Sequence, residues 1–183
     1  MTGKHYVFIG AVAATAFVLA FALGSGVNAL TGVPLTGGIV NGIIVGVVMT
    51  VGAKGVNRFG SLFLIWTLFS LFALPTNTMG APGLQKLVIG AAAGLTWDVV
   101  CSLLRRSNAG ILLGGMISTV VVTFGTFWAY AWLGLPAAER LERYLPYVAA
   151  FNGLIGGVAV VLGILLFERR LRKLRFMKSL LQQ

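Results

Sequence analysis

Residues 6–53 carry no charged side chain. Such a run is too apolar for a soluble fold and too long for one membrane span, which takes about 20 residues. Two spans with a break between them fit it. Gly24-Ser25-Gly26 and residues 28–38, with Pro34, supply the break. The first helix is then expected at about 6–24 and the second at about 38–53. Lys54 and Arg58 bracket a tight turn into a third helix at about 59–74, stopped by Pro75. A fourth at about 83–104 ends at Arg105-Arg106, and two more follow at about 110–133 and 147–167.

Composition agrees. The hydrophobic share is 58%, the charged share 10% and the mean hydropathy +0.95, whereas a soluble domain is roughly a quarter charged. The expected fold is an all-α integral membrane protein with six transmembrane helices. The net charge of +10 does not mark a nucleic-acid partner, because the charges sit at the edges of apolar runs. Cys101 is the single cysteine, which excludes an internal disulfide and a cysteine-based metal site. The single histidine, His5, lies at the amino terminus.

Lys and Arg counts orient the chain. Eleven fall on one side (Lys4, Lys54, Arg58, Arg105, Arg106 and six in the tail), and three, Lys86, Arg140 and Arg143, on the other. The positive-inside rule then puts both termini in the cytoplasm. The same bias argues against a dual-topology half-transporter. A cleavable signal peptide would explain the first helix, but its apolar core exceeds the usual 7–15 residues, so it is expected to be retained. Residues 1–167 form the membrane domain, and 168–183 a basic cytoplasmic tail. In that tail Leu171, Leu174, Met177 and Leu181 recur at near-helical spacing. Two readings of it are open: an amphipathic helix on anionic lipid, or a docking site for a cytoplasmic partner.

Neutral polar residues gather toward the outer side. Asn28, Thr31 and Thr36 fall in the first outer loop, with Asn41 about one turn below it. Thr76, Asn77, Thr78 and Gln85 lie in or under the second, and Asn152 less than two turns into the last helix. Buried amides need partners in hydrocarbon, so those on different helices face one another or a cavity. Trp128, Tyr130, Trp132, Tyr144 and Tyr147 lie at the same level. An aromatic belt accounts for most of them, while one or two could stack on a flat ligand.

Residues 76–98 hold the two charges inside the apolar segments. Gly83, Gly90 and Gly94, with Ala91, Ala92 and Ala93, leave little bulk on the helix, so a neighbour can approach closely or a guest can sit there. Lys86, one turn into the helix, could snorkel outward or close a pocket floor against an anionic ligand. Asp98 lies about 22 Å below Gly83 at 1.5 Å per residue, too deep for an outer pocket. Two turns before Arg105, it reads as one half of a structural or coupling ion pair rather than a proton carrier. In the first helix Gly10, Ala14, Ala16 and Ala20 make a small-residue face suited to close packing, internal or with a partner.

Several chemistries lack their residues. The chain has no G-x-x-x-x-G-K-[ST], no H-E-x-x-H, no pair of intramembrane aspartates and no Ser/His combination in the membrane. No enzyme, cofactor or metal site is expected. Nor is an inverted repeat visible, as many secondary transporters would show. Transport would need a partner that supplies energy.

Gly80-x-Pro82-Gly83-x-x-Lys86-x-x-x-Gly90-x-x-x-Gly94-Leu95-x-x-Asp98 resembles the substrate-binding S-components of energy-coupling factor (ECF) transporters. So does the first outer loop, Asn28 to Pro34, followed by Gly37-Gly38-x-x-Asn41-Gly42. The resemblance implies a prokaryotic plasma-membrane protein with an outward pocket for a vitamin or related micronutrient. It also implies a membrane T-component docking on the first helix and two cytoplasmic ATPases that drive release. The pocket would draw on Asn28, Asn41, Asn77, Lys86, Trp128 and Asn152, and the docking face on Gly10, Ala14, Ala16 and Ala20. The first helix lacks a clean A-x-x-x-A repeat. Rival readings are a non-catalytic scaffold subunit, with outer amides paired and no cavity, and a small self-sufficient permease in which Asp98 titrates.

Overall fold

The structure, a computed structural model, describes the backbone of residues 1–31, 34–78, 80–174 and 176–177. Side chains at Ser25, Asn28, Ala29, residues 31–38, Ala137 and Arg140 also lie outside the description. The described residues form α1 (Gly3–Thr31), α2 (Pro34–Val56), α3 (Ser61–Ala73), α4 (Gln85–Leu103), α5 (Asn108–Trp132), α6 (Pro136–Glu142) and α7 (Leu145–Arg169). A 3-10 turn, Leu171–Lys173, follows.

By length and composition α1, α2, α4, α5 and α7 can each cross a membrane. Val7, Val88 and Leu103 are exposed on the outside of the bundle, as in a multi-pass membrane protein whose solvent is lipid. The sixth expected span, α3, is only 13 residues long.

Two sequence expectations change. Gly24-Ser25-Gly26 does not end α1, which runs on to Thr31. A glycine costs a helix only about 1 kcal/mol relative to alanine, and Gly24 is used for packing. A Cβ there would lie 2.1 Å from Asn41 Oδ1, so the missing side chain makes the notch in which the Asn41 carboxamide rests. Pro34 opens α2 instead of interrupting it; proline suits a first helical turn, where its missing N–H has no helical partner to lose. The connection after α5 also carries a helix, α6, with Pro136 in its first turn.

The six longer helices close into a ring: α1 packs on α2, α2 on α7, α7 on α5, α5 on α4, α4 on α3 and α3 on α1. Glycines set the spacing. Gly46 of α2 faces Ala159, Gly163 of α7 faces Thr50, and Gly156 faces Thr119 of α5, each with no room for a Cβ. The α3–α4 contact brings backbone against backbone. A Cβ on Gly94 would sit 2.7 Å from the Leu62 carbonyl oxygen and 2.8 Å from Phe63 Cα. At Gly90 it would meet Ser70 Oγ at 1.9 Å.

One end of the ring carries the amino terminus and most of the described basic residues. There Lys54 Nζ donates to Asn108 Oδ1 (2.6 Å) and to Glu168 Oε1 (3.1 Å), and Asn108 Nδ2 donates to the same carboxylate (3.2 Å). This knot joins α2, α5 and α7. The Phe176 ring lies 6.0 Å from Phe8, and Met177 is buried in the core cluster. Arg175 and residues 178–183 of the tail lie outside the described residues.

Candidate functional site

Both charges of α4 are spent on the ends of α3. A helix leaves its first N–H groups and last C=O groups without partners, and its dipole is positive at the start and negative at the end. Gly60, in the left-handed region at φ 86°, offers no side chain to cap α3. Asp98 does so from α4: Oδ2 accepts from the Phe63 N–H at 2.9 Å. At the other end Lys86 Nζ donates to the carbonyls of Ala73 (2.9 Å) and Thr76. Both side chains are fully buried. Each charge therefore lies against the dipole end of opposite sign.

The second Asp98 oxygen takes Arg106, whose Nη2 donates to Oδ1 at 2.6 Å. Arg105, the expected partner, is exposed instead. The cause is how α4 ends. Arg105 and Arg106 both adopt positive φ, 51° and 52°, and the Arg106 N–H bonds back to the Cys101 carbonyl. That closure turns Arg106 alongside the last helical turn, where it reaches Asp98.

Lys86 therefore serves a structural purpose. Lys86→Met keeps the side-chain volume and removes the ammonium donor from both carbonyls, leaving Ala73 only its bonds from the Thr76 N–H and hydroxyl. It should lower stability by about 1–3 kcal/mol, read by thermal unfolding in detergent. A variant that melts higher than the wild type would show that the buried ammonium costs more than its carbonyls return.

Inside the ring lies a cavity of about 480 Å³. Its wall is built by α2 (Asn41, Val45), α3 (Trp66, Phe69), α4 (Trp97), α5 (Thr119, Val122, Thr123, Thr126, Tyr130) and α7 (Asn152, Ile155, Val160). The segment between α3 and α4 adds Asn77, Thr78 and Gly80 at the end away from the basic residues. Gly80 is fixed by two constraints. Its φ is 91°, and a Cβ would lie 2.9 Å from the Tyr130 hydroxyl. The Trp97 ring is held by its neighbours: Gly114 and Gly115 leave space for it, and its Nε1 donates to the Ile111 carbonyl at 2.9 Å.

The polar wall is partly wired. Thr119 Oγ1 donates to the Gly115 carbonyl (2.7 Å) and Thr123 Oγ1 to the Thr119 carbonyl (3.0 Å). Asn152 Nδ2 in turn donates to Thr123 Oγ1 at 3.0 Å, linking α7 to α5. Trp66 Nε1 and Asn41 Oδ1, on two lining residues, are buried with no partner among the described residues. Buried polar groups are nearly always paired, so each asks for a water or a guest.

Of the six residues expected at a pocket, Asn41, Asn77 and Asn152 line this one cavity. Lys86, on α4, is turned aside to the end of α3, and Trp128 is 70% exposed. The Asn28 side chain lies outside the described residues. Sequence reasoning passed over Trp66, Trp97 and the threonines of α5. The threonines recur at 119, 123 and 126, a helical face that the sequence does display.

The small-residue face of α1 is divided. Ala16 and Ala20 are fully buried in the protein's own core, whereas Gly10 and Ala14 are half-buried. Nothing lies within 4 Å of a Cβ built on Gly10. The outward side of α1 is instead Val7, Ala11, Thr15 and Val18. No cluster of His, Cys, Asp or Glu among the described residues could hold a metal ion. Comparison with protein-family models, with curated proteins and with solved structures returns no match to this chain.

Proposed function

We propose that this chain is a membrane-embedded small-molecule-binding subunit, the S-component of an ECF-type importer in a prokaryotic plasma membrane. It captures a vitamin or related micronutrient from outside and delivers it with a T-component and cytoplasmic ATPases. The observation that carries the reading is the cavity: three asparagines from three segments and a threonine face, set among aromatic rings, in a space of about 480 Å³. Ligand sites are commonly 300–1,000 Å³, mostly apolar, with a few placed polar groups. With both termini and the basic end in the cytoplasm, and α3 as a short sixth crossing, Asn77 and Tyr130 sit on the outer side. The outward side of α1 is then the surface left for the T-component.

The test is thermal unfolding of the detergent-purified protein against water-soluble vitamins and their precursors. A ligand at 100 times its Kd should add about 2.7 kcal/mol of stability. That gain should vanish in Asn152→Leu, which removes an amide from the wall. A well-folded protein that responds to no compound would favour a scaffold subunit of a larger complex.

A further inference from the structure

The cavity wall carries no formal charge. Among its described residues there is no Asp, Glu, Lys, Arg or His, and the titratable group is the Tyr130 phenol, uncharged at neutral pH. Residues 25–38 and Met79 carry no charge by sequence. The two ionic groups deep in the bundle, Lys86 and Asp98, are both bound to α3, and Asp98 also to Arg106. Neither lines the cavity. A charged ligand entering here would shed its water and meet no counter-ion, which for a single ion is strongly unfavourable.

What the wall offers is neutral and two-sided. The Thr119 and Thr123 hydroxyl hydrogens go to their own helix, so those oxygens can only accept. The Trp66 indole can only donate, and the Asn77 and Asn152 carboxamides do both. Trp66, Phe69 and Trp97 supply flat apolar surface.

We infer that the site selects an uncharged heterocycle of one to three rings with an amide-like edge that both donates and accepts. The inference rests on the proposed binding function and narrows its substrate to a charge class. The experiment is calorimetric titration of the detergent-purified full chain with matched probes. Nicotinamide, nicotinate and 1-methylnicotinamide present one ring as a neutral, an anionic and a cationic species. Biotinamide and biotin repeat the neutral–anionic pair in a larger molecule, and lumichrome adds a neutral fused-ring probe.

The uncharged members should bind, and each charged counterpart should bind at least ~100-fold more weakly, the penalty for an unpaired buried ion. Nicotinate or biotin binding as tightly as its amide would overturn the charge class and leave the binding function standing. No heat from any probe, with a flat vitamin panel, would overturn both.

Discussion

Asp98→Ala is expected to lower the stability of the folded protein by about 3–5 kcal/mol, because it breaks a buried ion pair by removing one partner. Thermal unfolding in detergent would measure it. Two losses combine. Arg106 keeps its charge with its acceptor gone, and its Nη1 already has no partner among the described residues. The first turn of α3 loses the oxygen that takes the Phe63 N–H. The double variant Asp98→Ala/Arg106→Leu should recover part of the loss, since removing both charges spares the orphaned one. If Asp98→Ala melts with the wild type, α3 holds its first turn without α4.

Gly94→Ala carries the second large effect. The added Cβ would meet the Leu62 carbonyl and Phe63 Cα, which are backbone atoms and cannot swing aside. Overpacking of this kind costs about 1–3 kcal/mol. Here the upper end is expected, because pushing α3 away also loosens its bond to Asp98. Gly10→Ala on α1 is the control. With nothing within 4 Å of its Cβ, it should be neutral or gain up to about 1 kcal/mol from helix propensity. Equal melting temperatures for the two variants would refute the close α3–α4 approach.

The positions of the longer helices were legible because apolar runs and their basic edges report them directly. The depth of a residue along its helix could be read too. Depth is what grouped Asn41, Asn77 and Asn152, which lie along one cavity. Direction round the helix axis was not readable in the same way. Lys86 shares their depth yet points to the end of α3, and Trp128 shares it yet faces outward. Ala16 and Ala20 face the core for the same reason. Helices apolar on every side give no amphipathic signal to fix rotation. Spacing placed Asp98 near two arginines, but choosing Arg106 required the left-handed turn after α4, which no glycine announced. Gly24 misled because a glycine that breaks a helix and one that admits a neighbour look alike in sequence.

The brevity of α3 decides what borders the cavity. Thirteen residues at 1.5 Å each reach about 20 Å, against a hydrocarbon thickness near 30 Å. If α3 makes the proposed sixth crossing, about a third of that crossing is left to non-helical chain. Such chain survives at membrane depth only when protein covers it or when it borders a hollow. Here it borders one, through Asn77, Thr78 and Gly80. Two further turns of helix would have lengthened α3 to about 30 Å and consumed the residues that now rim the hollow. The vestibule is thus made by subtraction: a helix that stops early, with a lysine from the next helix holding its cut end.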